Sequence, residues 1–149
     1  MAERCAAALL AAALSTAACT TTVIGRPVAL PVLDMDRSLI ADYFERSNTA
    51  ARDGAEAQER FLASTEHPDF VRQCDLGGLT VMLEPTLSTL RPDDGWRPAG
   101  AHQAPRGRLY AVAVTVTVRR GESTLGTQIG SMHVVVLDAT AYGFAPCPS

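Results

Sequence analysis

Tyr110-Ala111-Val112-Ala113-Val114-Thr115-Val116-Thr117-Val118 is the stretch whose reading decides the fold of this chain. Side chains of a strand point alternately to opposite faces, so Val112, Val114, Val116 and Val118 share one face while Ala111, Ala113, Thr115 and Thr117 share the other. β-Branched residues at every second position fit a pleated, half-buried surface better than a helix. The valine face is expected to pack against helices, and the Ala/Thr face to be shallower or covered by a partner.

Downstream, Arg119-Arg120-Gly121-Glu122 reads as a turn, and a returning strand is expected from about Leu125 to Leu137. Gly126 and Gly130 stand where a bulge or a tight bend would fit. Asp138-Ala139 turns the chain into a last strand, Thr140 to Ala145. Upstream, Leu79, Val81 and Leu83 alternate with Thr80, Met82 and Glu84, and Pro85 marks a bulge or an edge before Thr86 to Leu90.

Two helices precede the strands. Leu39, Ile40, Tyr43, Phe44, Ser47 and Ala51 recur at three and four, the stripe of a half-buried helix that starts at Asp34 or Asp36 and ends near Gly54. Asp53 and Glu56 are spaced close to a capping box for a second helix, with Ala57, Phe61 and Ser64 or Thr65 inward and Pro68 as its stop. The order is helix, helix, then about four antiparallel strands joined by short turns. Such an order implies an α+β domain in which a curved sheet buries one face against the helices.

Ile40-Ala41-Asp42-Tyr43-Phe44, Asn48, Ala51, the Gly54 break, Phe61-Leu62-Ala63 and the long paired strands at the end resemble the NTF2-like (SnoaL-like) cone over about Met35 to Cys147. Within that superfamily the chain is similar to small secreted lipoproteins of actinobacteria. The resemblance implies a cone-shaped pocket, which in the enzymes of the group is dry and holds an Asp or His base with a Tyr or acid for the oxyanion. This chain has room for only a brief third helix, Asp69 to Gln73, which makes for a shallow cone. Tyr43 on the first helix and His133 on a central strand are the residues able to face such a pocket.

The N-terminal segment bears on location. Arg4 precedes the uncharged apolar run Cys5 to Leu14, followed by Ser15-Thr16-Ala17-Ala18-Cys19. The run is shorter than the roughly 20 apolar residues that span a bilayer core. Its charged start, apolar middle and small-residue end form the pattern of a secretory signal peptide, here residues 1–18. Small residues before a cysteine resemble the lipobox of bacterial lipoproteins, which implies acylation of Cys19 and an extracytoplasmic, lipid-anchored protein in the cell membrane. Each buried methylene of such chains contributes roughly 0.8 kcal/mol. Residues 19–33 then read as the lipidated cysteine and a tether, broken by Gly25 and by prolines 27 and 31, ahead of one domain at 34–149.

Of the four cysteines, Cys5 leaves with the signal peptide and Cys19 is the anchor. Cys74 and Cys147 remain as an even pair in a compartment where disulfides persist, and a bridge between them is expected. It would close a loop whose chain-entropy contribution is about 4 kcal/mol. The 149-residue chain has 13 basic and 16 acidic side chains and a formal charge of −3, which gives no electrostatic case for nucleic acid as a partner. Phosphate loops, zinc-protease helices, nucleophile elbows and Cys-x-x-Cys motifs are absent from the sequence, and no metal or cofactor is expected.

The acids sit at helix starts, outward helix faces and turns, so Tyr43 and His133 are weak catalytic candidates without a carboxylate tuned by burial. His67 sits at a helix end, where a cation suits the dipole, and His102 falls in a polar loop. The loop Arg91 to Gly107 carries the single tryptophan, Trp96, next to Arg97. That composition suits a binding surface, and equally a side chain folded back to close one end of the core. The sequence therefore points to a membrane-anchored, non-catalytic binding or scaffold domain for an envelope protein or small apolar ligand, with a homodimer through the open sheet. An acid/base enzyme of isomerase or dehydratase type is the alternative.

Overall fold

The computed structural model describes residues 31–72 and 75–144. Two helices, α1 (Pro31–Asp53) and α2 (Ala55–Thr65), precede four strands: β1 (Thr80–Pro92), β2 (Arg108–Arg120), β3 (Ser123–Leu137) and β4 (Thr140–Tyr142). The strands form one open antiparallel sheet in the order β1-β2-β3-β4, with the helices packed on it, an α+β architecture. The expected signal peptide, Cys19 and both cysteines of the expected Cys74–Cys147 bridge lie outside the described residues. Among the described residues no helix is long and apolar enough to cross a membrane.

α1 begins earlier than the acidic caps suggested. Pro31 occupies its first turn, where a missing N–H costs nothing and a fixed φ suits the helix. Asp34 then sits in that turn, while Asp36 is fully buried and serves the sheet instead. The expected inward stripe holds: Ile40, Tyr43, Phe44, Ser47 and Ala51 are buried, and Leu39 packs beside them.

α2 differs from expectation at both ends. Its N-cap is Gly54, at a positive φ of 113 that suits glycine, and makes no side-chain cap bond, so Asp53 and Glu56 form no capping box. Its buried residues are Gln58, Leu62 and Thr65, with Phe61 only partly buried. The helix stops at Thr65 because Glu66 turns extended and bridges Gly143 in parallel, before Pro68 is reached. In place of the brief third helix the chain makes a turn through residues 68–70.

The valine face is confirmed as the core. Val112 and Val114 are 0% and 1% exposed and join Val134, Val136, Leu83 and the α1 stripe in one cluster, while Val116 packs at its margin. Registration places Ala111 opposite His133 and Val112 opposite Met132, so these pairs occupy opposite faces. The Ala/Thr face is not uniformly shallow, because Ala111 is 1% exposed under residues returning from the long loop.

β1 runs on through Pro85, with the pairing to β2 slipping between Thr86 and Arg91. The Thr89 hydroxyl accepts the Ala113 N–H at 2.9 Å and fills part of that gap in the ladder. The free side of β1 is closed by side-chain amides. Asn48 donates to Leu83 O and accepts from Leu83 N, both at 2.7 Å. Gln58 does the same at Val81, at 2.6 and 2.8 Å. Each amide reproduces the two bonds that a neighbouring strand residue would make, which protects an edge otherwise open to pairing.

β2 and β3 slip by one residue between Val118 and Arg119, which sets Leu125 in a bulge beside Gly126. Asp138 and Ala139, at φ 49 and 58, form the two-residue turn into β4, the left-handed geometry that matches strand twist. β4 pairs with Val135, Val136 and Leu137, and among the described residues the rest of β3 has no strand partner on that side.

Candidate functional site

Phe144, just past β4, separates two hollows. The first, of about 440 Å³, lies between the second half of α2, the residues Glu66, Val71, Arg72 and Asp75, and the Gly143-Phe144 step. Tyr43 lines it, with Leu62, Ala63, Val71 and Phe144 supplying apolar walls. The second, of about 380 Å³, is a groove over the open part of the sheet, between Val81, Val118 and Met132 and an end formed by Trp96, His133 and Phe144. Tyr43 and His133 therefore line different hollows.

Tyr43 is placed by α1 and 1% exposed. Its ring meets Phe44 and Phe61 at 5.5 Å, and its hydroxyl rests against the backbone of Gly143, where any side chain would collide with it. Burial pushes that hydroxyl up to about 12. It is a hydrogen-bonding group at neutral pH and a poor proton acceptor.

Glu66 was not singled out by sequence reasoning. Hydrogen bonds from His67 N to Gly143 O (3.0 Å) and from Gly143 N to Thr65 O (2.9 Å) tie residues 65–67 to the end of β4 and fix its direction. Only 7% of Glu66 is exposed. Oε2 accepts the Arg72 N–H at 2.7 Å, while Oε1 is buried without a hydrogen-bond partner. A carboxylate within a run of Ser-Thr-Glu-His-Pro carries no local mark of burial; the signal lies in the pairing with Gly143.

His133 donates its Nε2–H to Asp93 Oδ2 at 2.9 Å. His133 stands opposite Ala111 in the register, and Asp93 follows β1 two residues after Arg91, the partner of Ala111 on its other side. Trp96 stacks on the imidazole at 4.0 Å and 12°, and its other contact is Phe144, edge-on at 4.8 Å. Trp96 thus folds back onto the sheet, and Arg97 beside it is exposed. Ser131 shares the groove, and no hydrogen bond among the described residues links it to His133.

His67 is fully buried, unlike the cation at a helix end that the sequence suggested. Its Nδ1 accepts the Asp69 N–H at 3.2 Å, which leaves Nε2–H to donate to Arg106 O at 2.9 Å. Both bonds are satisfied by the neutral ring. Arg106 holds Asp69 through two bonds of 2.8 and 2.7 Å, and this guanidinium lowers the Asp69 pKa below its usual value. The segment after α2 and the start of β2 are clamped together by these contacts.

The arrangement offers an apolar hollow with a buried acid and a separate, braced histidine. Among the described residues no group of three or more His, Cys, Asp or Glu could hold a metal ion. No protein-family model, curated protein or solved structure matches the chain.

Proposed function

We propose that the chain is a membrane-anchored lipoprotein of the cell envelope whose domain, a shallow NTF2-like cone, is a non-catalytic binding module for a small apolar ligand. The observation that carries this reading is the hollow of about 440 Å³ floored by Tyr43 and walled by Leu62, Ala63, Val71 and Phe144. Partly enclosed, mostly apolar hollows with a few convergent polar groups are the usual form of small-ligand sites. The separation of Tyr43 from His133 favours binding over acid/base turnover. Export and a lipid on Cys19 complete the reading from the N-terminal segment.

Titration with the neutral fluorescent probe N-phenyl-1-naphthylamine tests the hollow. Saturable binding to the wild type that Ala63→Trp abolishes is expected; binding unaffected by Ala63→Trp would overturn the assignment of the hollow. The mass of the mature N-terminus tests the anchor, with an acylated Cys19 expected and an unmodified soluble protein refuting it.

A further inference from the structure

Resting on the reading of the Tyr43 hollow as a ligand site, we infer that its occupant is a long-chain primary amine whose ammonium group binds Glu66. The other charged side chains around the hollow already hold partners. Glu59 Oε1 accepts the Leu76 N–H at 3.1 Å, and Asp75 Oδ1 accepts the Gly77 N–H at 2.7 Å. The Arg72 guanidinium turns out to Ala99 O at 2.8 Å, and the Arg60 side chain is 73% exposed, facing Glu56. Among the described residues lining the hollow, Glu66 Oε1 is the buried side-chain atom without a hydrogen-bond partner.

An acceptor left without a donor in such a place is unfavourable, and more so when charged. The terminal torsion of a glutamate is soft, so a small rotation turns Oε1 from the wall toward a donor in the hollow. A carboxylate rewards a cationic donor more than a neutral one and repels an anion. Leu62, Val71 and Phe144 offer the alkyl chain an apolar bed.

Displacement of N-phenyl-1-naphthylamine by decylammonium, decanol and decanoate at pH 7 separates these chemistries. Decylammonium is expected to bind about tenfold more tightly than decanol, the difference of one charge-assisted hydrogen bond, and decanoate most weakly. Glu66→Gln should erase the preference for the amine and leave decanol unchanged. Equal affinity of amine and alcohol for the wild type, or a preference that survives Glu66→Gln, would overturn the inference while leaving the apolar site in place. Failure of all three to displace the probe would instead count against the hollow itself. The wild-type comparison stands even if Glu66→Gln lowers the melting temperature.

Discussion

Where β2 begins, at Arg108, the sheet is covered on both faces; toward its far end, at Arg120, the paired stretch of β3 is open to solvent on both faces. At the covered end Tyr110, Ala111 and Val112 are all buried in succession, because α1 lies on one side and the returning loop with Trp96 lies on the other. At the open end every residue from 121 to 131 is exposed, Ile129 at 82%. One continuous pair of strands thus passes from a two-sided core to a ribbon whose β3 side chains are exposed on both faces. The lesson is that strand alternation predicts which residues share a face, and only the neighbours decide whether that face is dry.

The covered end also holds a buried charge. Asp36, fully buried, accepts two bonds of 2.6 Å from Arg108 and one of 2.5 Å from the Tyr110 hydroxyl. Asp36→Ala leaves both donors short of a partner, and because the Arg108 side chain is 53% exposed part of the loss is recovered by water. A loss of about 2 to 3 kcal/mol is expected in urea unfolding, the largest effect considered. A loss below about 1 would show that the covered end does not depend on this carboxylate.

The same group sets a pH dependence. The bonds from Arg108, against an opposing cost of burial, hold Asp36 below its ordinary value of 3.8 in the folded protein. A depressed folded pKa contributes stability that is fully present above the unfolded value and is lost as pH falls through the folded one. Stability of the wild type should therefore decline below about pH 4, and Asp36→Asn should flatten that decline. Parallel curves for the two proteins would remove Asp36 from the explanation.

The open end relies on its β1 edge rather than on two-sided burial. Gln58→Ala removes two bonds from Val81 and should cost about 2 kcal/mol by urea denaturation. Hydrogen exchange at Val81 should quicken in step, and unchanged exchange would mean that the amide does not hold the edge.

A paired substitution within β2 probes the change of regime. Val114→Ala removes methyl groups from a position 1% exposed and should cost about 1 to 3 kcal/mol, whereas Thr115→Ala should cost under about 1. Equal losses would extend the two-sided core further along the strand than the structure shows. The smallest effect is expected at Ile129→Ala, within about 0.5 kcal/mol. A larger loss that grew with protein concentration would mean that a second copy covers the open end.

Local chemistry alone carried the α+β order, the strand from Tyr110 to Val118, its valine face and the α1 stripe, because periodicities of two and of three to four are written in adjacent residues. Tyr43 was legible as a residue facing inward for the same reason. The burial of Asp36 was not, since its partners Arg108 and Tyr110 stand 72 and 74 residues away and its position beside a helix start looks like a cap. Asn48 and Gln58 read as ordinary helix polar residues until β1 is laid beside them. Trp96 on His133, and Glu66 sealed against Gly143, arise where the long loop and the end of β4 return to the sheet. Such meetings are decided by tertiary structure, because desolvation and pairing depend on which distant groups arrive, and no local pattern in the chain encodes that arrival.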